Sequence, residues 1–321
     1  MRLRNGLGRL ALALALLVWL AGCATPQLAR LNAQPPLGLP PVATVADVPF
    51  FGQDVDQCGP AALAMVARFA GVAVTPEQLR PQVFLPDRRG SLQLEMLAST
   101  RRQGLLAWPL PPQLEAVLRQ VAAGRPVVVL QNLSLPVAPL WHYAVVTGYD
   151  LPAQAMRLHS GLQADLSLPL ATFEHTWARS GHWAFVALPP GQVPADAEPQ
   201  AWLQAAAATE RVRPDAAGQA YEAATRTWPG EARAWLGLGN VRYGEGRLDQ
   251  AGEAFEAATR AAPALADAWN NLAQLRLAQQ RRSEAAEAID RAVALGGPHL
   301  TRYLELQQQL RSAPAQGGRG P

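Results

Sequence analysis

Only two of the 321 residues are cysteine, and one of them, Cys58, stands directly before Gly-Pro in QCGPAALAMVARFAG. A thiol is a nucleophile only as thiolate, and an ordinary cysteine titrates near ~8.5. The unpaired amides and the dipole at the start of a helix favour negative charge and lower that value. Cys58-Gly59-Pro60 followed by helix-forming alanines fits such a start. Pro60 suits a first helical turn, where its missing N–H costs nothing, and Gly59 permits close approach of an acyl group to the backbone. A nucleophilic thiol also needs a base, usually histidine, within hydrogen-bond reach. Of the five histidines, His142 in LWHYAVVTGYD opens an apolar strand that gains nothing else from a polar ring. His159, His175 and His182 lie in turn-like or mixed segments, and His299 follows Gly-Gly-Pro. Cys58 and His142 together predict thiol-based acyl chemistry. The competing reading makes Cys58 a small buried hydrophobe and His142 a satisfied core residue.

The elements that must position this pair are legible in outline. AALAMVARFAG predicts a helix ending at Gly71, and PEQLRPQV and SLQLEMLASTRRQG predict two more, the second ended by Gly104. PPQLEAVLRQVAAG is a fourth helix, opened by Pro111-Pro112 and closed by Gly124. Strand-type runs follow: PVVVLQNL, WHYAVVTGYD, AMRLHSG and HWAFVALP. Helices first and strands later predict an α+β domain with an antiparallel sheet over residues 48–190. ATFEHTWARSGHWAF is expected to pack a closing helix and strand on that sheet; within it Glu174 and His175 carry only a weak claim on function. After a linker at 191–200 the composition turns to Ala, Glu, Arg and Leu over 201–313, and residues 314–321 form a disordered tail.

The N-terminus and the charge balance bear on compartment and partners. All 28 basic residues are arginine, against 25 acidic ones, for a formal charge of +3. That excess equals Arg2, Arg4 and Arg9, so the remainder is neutral and carries no electrostatic footprint for nucleic acid. The three arginines precede LALALALLVWL, an apolar run too short for a permanent span, so residues 1–22 read as an export signal. Leu20-Ala21-Gly22-Cys23 resembles the lipobox of bacterial lipoproteins, which implies lipidation of Cys23 and a membrane anchor. Ala24 rather than Asp after it implies, by the same resemblance, an outer-membrane destination facing the periplasm. Residues 23–47, rich in Pro, Gln and Ala, read as an extended lipidated tether. With Cys23 lipidated, Cys58 is a lone thiol in an oxidising compartment, which favours a use for it.

A 34-residue period runs through the C-terminal third. Trp235 and Trp269, Leu238 and Leu272, Ala251 and Ala285, Ala254 and Ala288, Phe255 and Ile289, and Pro229 and Pro263 are each 34 apart, and Tyr221 precedes Phe255 by the same step. The pattern resembles the tetratricopeptide repeat, with two full units, a degenerate one before them and a capping helix across about residues 201–309. The resemblance implies an all-α solenoid whose concave surface binds a peptide or protein partner.

VPFFGQDVDQCGPAALAMV, followed about 80 residues later by WHYAVVTGYD, resembles the papain-like cysteine peptidases of the bacteriocin-processing (double-glycine leader peptidase) type. The resemblance implies Cys58 as nucleophile, His142 as general base and acid, and Gln53, five residues before the cysteine, as an oxyanion-hole donor, with Gln57 the weaker candidate. Such a hole is often worth ~3 kcal/mol in the barrier. The third residue, which orients the histidine, is usually Asp or Asn in the next strand; here that position falls near His159 or Ser160 in MRLHSG. Ser160 is the candidate by position, and Asp150 or Asp165 could substitute only if the fold brings one round. This departure allows a Cys-His dyad, or a domain without activity.

No His-Glu-x-x-His, cysteine pair or ligand-like histidine spacing is present, so no metal site is expected, and no cofactor. No Gly-rich phosphate loop follows a strand. Trp108, Trp141, Trp177 and Trp183 read as core or cleft walls. Two functions compete. The first is a membrane-anchored cysteine peptidase whose repeats recruit a peptide or protein substrate or partner. The second is a non-catalytic periplasmic scaffold in which the repeats do the binding. Acyl transfer or amide hydrolysis other than proteolysis is a third, within the same fold.

Overall fold

The computed structural model describes residues 25–52, 57–88 and 90–312. The expected signal at 1–22, the lipidation candidate Cys23, the oxyanion candidate Gln53 and the tail at 314–321 lie outside the described residues. Two compact units are present: residues up to 187 except 104–106, and residues from 188 onward together with 104–106. Among the described residues no helix is long and apolar enough to cross a membrane.

The first unit is built around helix α2, Cys58–Phe69, which follows helix α1 (Pro26–Ala33) and strand β1 (Val42–Thr44) in chain order. Its sequence CGPAALAMVARF favours the helix through alanine, leucine and methionine. Every residue from Gly59 to Ala67 is buried, as an all-apolar helix requires. Burying Leu63 and Met65 completely stabilises the unit by roughly 1.5–3 kcal/mol each. Gly71, with φ at +89°, ends it: Val72 N donates to Ala67 O, the bond a left-handed glycine cap allows. Helices α3 (Pro76–Val83), α4 (Gln93–Arg102) and α5 (Leu114–Ala122) follow; a short hairpin, β2 (Phe84–Leu85) with β3 (Gly90–Ser91), separates α3 from α4.

Strands β4 (Leu106–Pro109), β5 (Val127–Asn132), β6 (Trp141–Asp150), β7 (Ala155–Ser160), β8 (Gln163–Pro169) and β9 (Ala184–Leu188) form a sheet in the order β4-β9-β5-β6-β7-β8. Helix α6, Leu170–Ala178, lies between β8 and β9 in sequence. The α+β class and the antiparallel pairing expected from the sequence are what the chain adopts. All six residues of β5 are buried, as a central strand covered on both faces demands. The ten-residue β6 pairs with β5 through its first half and with β7 through its second. β1 takes up β6 where β5 stops, pairing Val42–Thr44 with Asp150–Gly148. A Cβ at Gly148 would lie 2.9 Å from Ala43 O, so glycine is what lets β1 close on the strand.

The sequence reading did not announce β4 or the hairpin β2–β3, and it departs from the structure at two longer segments. Residues 25–47 are not an extended tether. Helix α1 buries Leu28 and Leu31, and its first amides, Gln27 N and Leu28 N, donate to the Glu174 carboxylate at 2.8 and 2.7 Å. The Gln27 side chain receives Leu114 N–H at 2.5 Å, and Tyr149 donates its hydroxyl to Pro40 O at 2.9 Å. Proline and glutamine hid the helix because its stability comes from an acceptor 147 residues away rather than from its own cap. Glu174 therefore acts structurally, as a buried cap supplied to α1 in trans. The second departure is β8, QADLSLP, a mostly exposed edge strand in which Ala164, Leu166 and Leu168 alternate with polar residues, a period-2 signal the sequence reading passed over.

The second unit is all α: α7 (Pro199–Glu210), α8 (Pro214–Thr227), α9 (Ala232–Gly244), α10 (Leu248–Ala261), α11 (Ala266–Ala278), α12 (Arg282–Leu295) and α13 (Leu300–Ser312). The 34-residue period recurs as repeated contacts. Trp235 Nε1 donates to Pro229 O and Trp269 Nε1 to Pro263 O, both at 2.9 Å. Arg242 pairs with Glu222 at 3.5 Å, and Arg276, one period on, pairs with Glu256. A Cβ on Gly237 or Gly239 would strike the rings of Tyr221 and Phe255, so these small residues set how closely successive helices cross.

Candidate active site

Cys58 is the first residue of α2, half-buried on the wall of a cleft of about 1120 Å³. The N-terminal amides of α2 have no intrahelical acceptors, so a negative charge placed there meets donors and the positive end of the helix. Gly59 is required for a second reason besides approach of an acyl group. A Cβ there would run into the Ser91 side chain, so glycine lets β3 pack on the helix start. Tyr143 ties the same strand down by donating its hydroxyl to Ser91 O at 3.1 Å. Burial and then the charge of Cys58 push the Tyr143 phenol above its usual range, so it stays a neutral donor.

His142 lines the same cleft as Cys58, the second residue of β6 and paired in register with Gln131 of β5. Its Nε2 lies 2.9 Å from Ser160 Oγ. The pairing explains the contact: Val145 faces His159, so the next step puts Ser160 opposite Ala144, diagonal to His142 on the same face. With Nε2 engaged by the hydroxyl, Nδ1 is the nitrogen available to a thiol. Burial pushes the His142 pKa down to about 4, so the ring is neutral at ordinary pH and able to accept a proton.

The other candidates fall elsewhere. Asp150 closes β6 at the end away from His142, eight residues on, roughly 26 Å at ~3.3 Å per residue. Its carboxylate accepts Ala153 N–H at 2.9 Å. Asp165 is exposed in β8 and sits 3.8 Å from His159, not beside His142. His159 itself is buried: its Nε2 lies 3.1 Å from Val48 O, and its Nδ1 accepts Asp165 N–H at 3.2 Å. The ring also stands edge-on to Phe50 at 5.4 Å. Neighbouring residues of β7 thus serve two places, Ser160 at His142 and His159 at the segment leading toward Gln53. Among the described residues no group of three His, Cys, Asp or Glu could hold a metal ion.

Sequence reasoning missed the residues that shape the cleft wall. Asn132 Oδ1 accepts Ser134 N–H at 3.0 Å and Leu140 N–H at 2.9 Å, pinching the β5–β6 loop at both ends. Arg179 Nη1 adds bonds to Asn132 O at 3.1 Å and Ser134 O at 2.7 Å. Arg179 is remote from the loop in sequence, and although Asn132 adjoins it, only the pairing of β5 with β6 would have pointed to its role.

Comparison with known proteins agrees with this architecture. Residues 45–185 match the Peptidase_C39 like family, and residues 203–266 and 239–299 match the tetratricopeptide repeat. The chain therefore carries a Peptidase C39-like domain followed by tetratricopeptide repeats. Among solved structures it is similar to a protein described as a C39-like peptidase from Bacillus anthracis, at 19% identity, covering 46% of this chain and 97% of that one with a TM-score of 0.39. It is also similar to the type III secretion chaperone SycD of Yersinia enterocolitica in complex with a peptide of the translocator YopD, at 18% identity, 35% and 91% coverage and a TM-score of 0.33. A further similarity is to the TPR2B domain–pHsp70 complex of yeast Sti1, at 16% identity, 34% and 96% coverage and a TM-score of 0.32. No curated protein matches the chain.

Proposed function

We propose that the C39-like domain is a cysteine peptidase, with Cys58 as nucleophile and His142 as general base and acid. The observation that carries this reading is the shared cleft: a thiol on a helix N-terminus and a neutral, oriented imidazole line one cavity. In the first half-reaction Cys58 Sγ loses its proton to His142 Nδ1 and bonds to the scissile carbonyl carbon. The tetrahedral adduct collapses, the amine leaves with the proton from Nδ1, and a thioester remains. Water, deprotonated by His142, then releases the acid and restores the thiol. This cycle requires the tautomer in which Nε2–H donates to Ser160 Oγ. The hydroxyl thus orients the ring but brings no charge to stabilise the imidazolium. Oxyanion stabilisation falls to the Cys58 N–H and to Gln53, as the family resemblance implies.

The repeats would recruit the peptide or protein on which this site acts, or a protein partner, and lipid on Cys23 would hold the protein to the outer membrane, facing the periplasm.

The test is alkylation of Cys58 by iodoacetamide at pH 6.5, with rates followed by mass spectrometry on the chain from Ala24 onward. The proposal expects Cys58 to react at least tenfold faster than in His142→Ala, an effect within the usual range for one general base. Equal rates in the two proteins would overturn it. One observation favours a second reading, a non-catalytic scaffold: the residue at His142 Nε2 is an uncharged hydroxyl. Equal rates are what that reading requires.

A further inference from the structure

The walls of the cleft are apolar where a soluble protein would ordinarily be polar. Leu140 is 60% exposed, Trp141 49%, Leu133 45% and Leu92 40%, and all four line the cavity that holds Cys58 and His142. Three belong to the β5–β6 loop and its junction with β6; the fourth, Leu92, is the N-cap residue of α4, directly after β3. An exposed apolar patch of this extent marks a binding surface. It is also a braced surface, since Asn132 and Arg179 fix the loop through four hydrogen bonds to its backbone or its flank. The charged side chains lining the cleft, among the described residues, are Arg88 and Arg179, and both are cationic. Arg88 is exposed, on the 3-10 turn Pro86–Arg88 that precedes β3.

From this combination we infer the substrate class of the proposed site: an extended, apolar polypeptide segment carrying a carboxylate, seated between Leu92 and the β5–β6 loop with the carboxylate against Arg88. The inference rests on the peptidase reading for its location but not for its chemistry. Apolar walls bind side chains of leucine or valine size by removing them from water, at ~25 cal/mol per Å². The arginine is the complement to an acid, and a basic peptide would meet like charge there. A concave cleft with the thiol and imidazole in its wall suits a chain threaded past them, whereas a bilayer surface would leave that concavity unfilled.

Binding is measured on the full soluble chain with Cys58→Ala, so that no turnover intervenes. The probes are three rhodamine-labelled decapeptides: one of Val and Leu with a single Glu, the same with Lys for Glu, and one with Ser replacing the Val and Leu. Fluorescence anisotropy should show the Glu peptide binding at least tenfold tighter than either of the others. Leu140→Asp should weaken it at least tenfold, and Arg88→Glu should abolish the preference for Glu over Lys. Melting temperatures confirm that each variant is folded, and Leu133→Asp replaces Leu140→Asp if the latter is not. Equal affinity for the Ser peptide overturns the apolar assignment, and equal affinity for the Lys peptide overturns the charge assignment. Binding to phosphatidylcholine vesicles that Leu140→Asp abolishes, with no affinity for the peptides, overturns the proposal in favour of a membrane contact. Failure of the underlying reading looks different. Peptide binding would persist while Cys58 alkylation ignored His142.

Discussion

His142 and Ser160 define what the site lacks as well as what it has. A carboxylate at position 160 would accept from Nε2–H and stabilise the imidazolium; a hydroxyl can accept the same bond but brings no negative charge. Ser160→Asp is therefore expected to raise the His142 pKa above about 4, read by the C2-proton shift in NMR titration, and to speed Cys58 alkylation. Ser160→Ala removes one neutral bond, worth about 1 kcal/mol, and is expected to slow the reaction by roughly fivefold. An unchanged rate would mean that the ring is held by packing alone. The same burial has a consequence for stability. The His142 pKa is lower in the folded chain, about 4, than in the unfolded one, about 6.5, so between those values the unfolded state binds the extra proton. Stability thus rises with pH across that window and falls as acid is added. Urea midpoints measured from pH 7 to pH 4 should fall less for His142→Gln than for the natural protein. Cys58 and His142 were legible because each sits at an element's start, the thiol directly before a helix-forming run and the ring in an otherwise apolar strand. Ser160 could be placed only by counting along a strand whose register no local signal reveals.

At the scale of elements, the helices after α1 and the strands β5, β6, β7 and β9 followed from residue patterns and glycine stops, while α1, the hairpin β2–β3, β4 and β8 did not. Of these, α1 and β8 are held by partners outside their own segments: α1 by Glu174 and the start of α5, β8 by its pairing with β7 at the sheet edge. Propensity had little to say about either. Glu174→Gln replaces a two-oxygen acceptor with one oxygen and a donor, against two backbone N–H groups. It should cost about 2–3 kcal/mol, read as a lowered urea midpoint, because a bond to a charged group is lost and a buried amide is left unsatisfied. The effect should largely vanish in a chain beginning at residue 35, where Glu174 regains water. If the two changes simply add, the carboxylate does not cap α1. Gly59→Ala is a sharper case. The methyl group meets Ser91, so β3 must move from the helix start, and loss of thiol reactivity is expected even where the fold survives.

The whole molecule joins a domain with one deep cleft to a helical array whose stability is repeated rather than shared. Each 34-residue unit renews the tryptophan–proline bond and the arginine–glutamate pair, so damage to one unit should be felt mainly by its neighbours. Arg276→Ala leaves Glu256 without its buried partner and should lower the thermal stability of the repeats. Cys58 alkylation should not change, and a loss of it would mean that the two units fold as one. The docked N-terminal helix changes what a lipid on Cys23 would mean. A flexible leash of 24 residues would let an enzyme sweep a wide hemisphere above its membrane and sample whatever diffuses through it. Here helix α1 begins at Pro26, three residues after Cys23, so an acyl group on that cysteine would sit within a reach of roughly 10 Å at ~3.5 Å per residue. Such a protein would hunt in two dimensions, meeting only what the bilayer itself presents or what the repeats draw down to it.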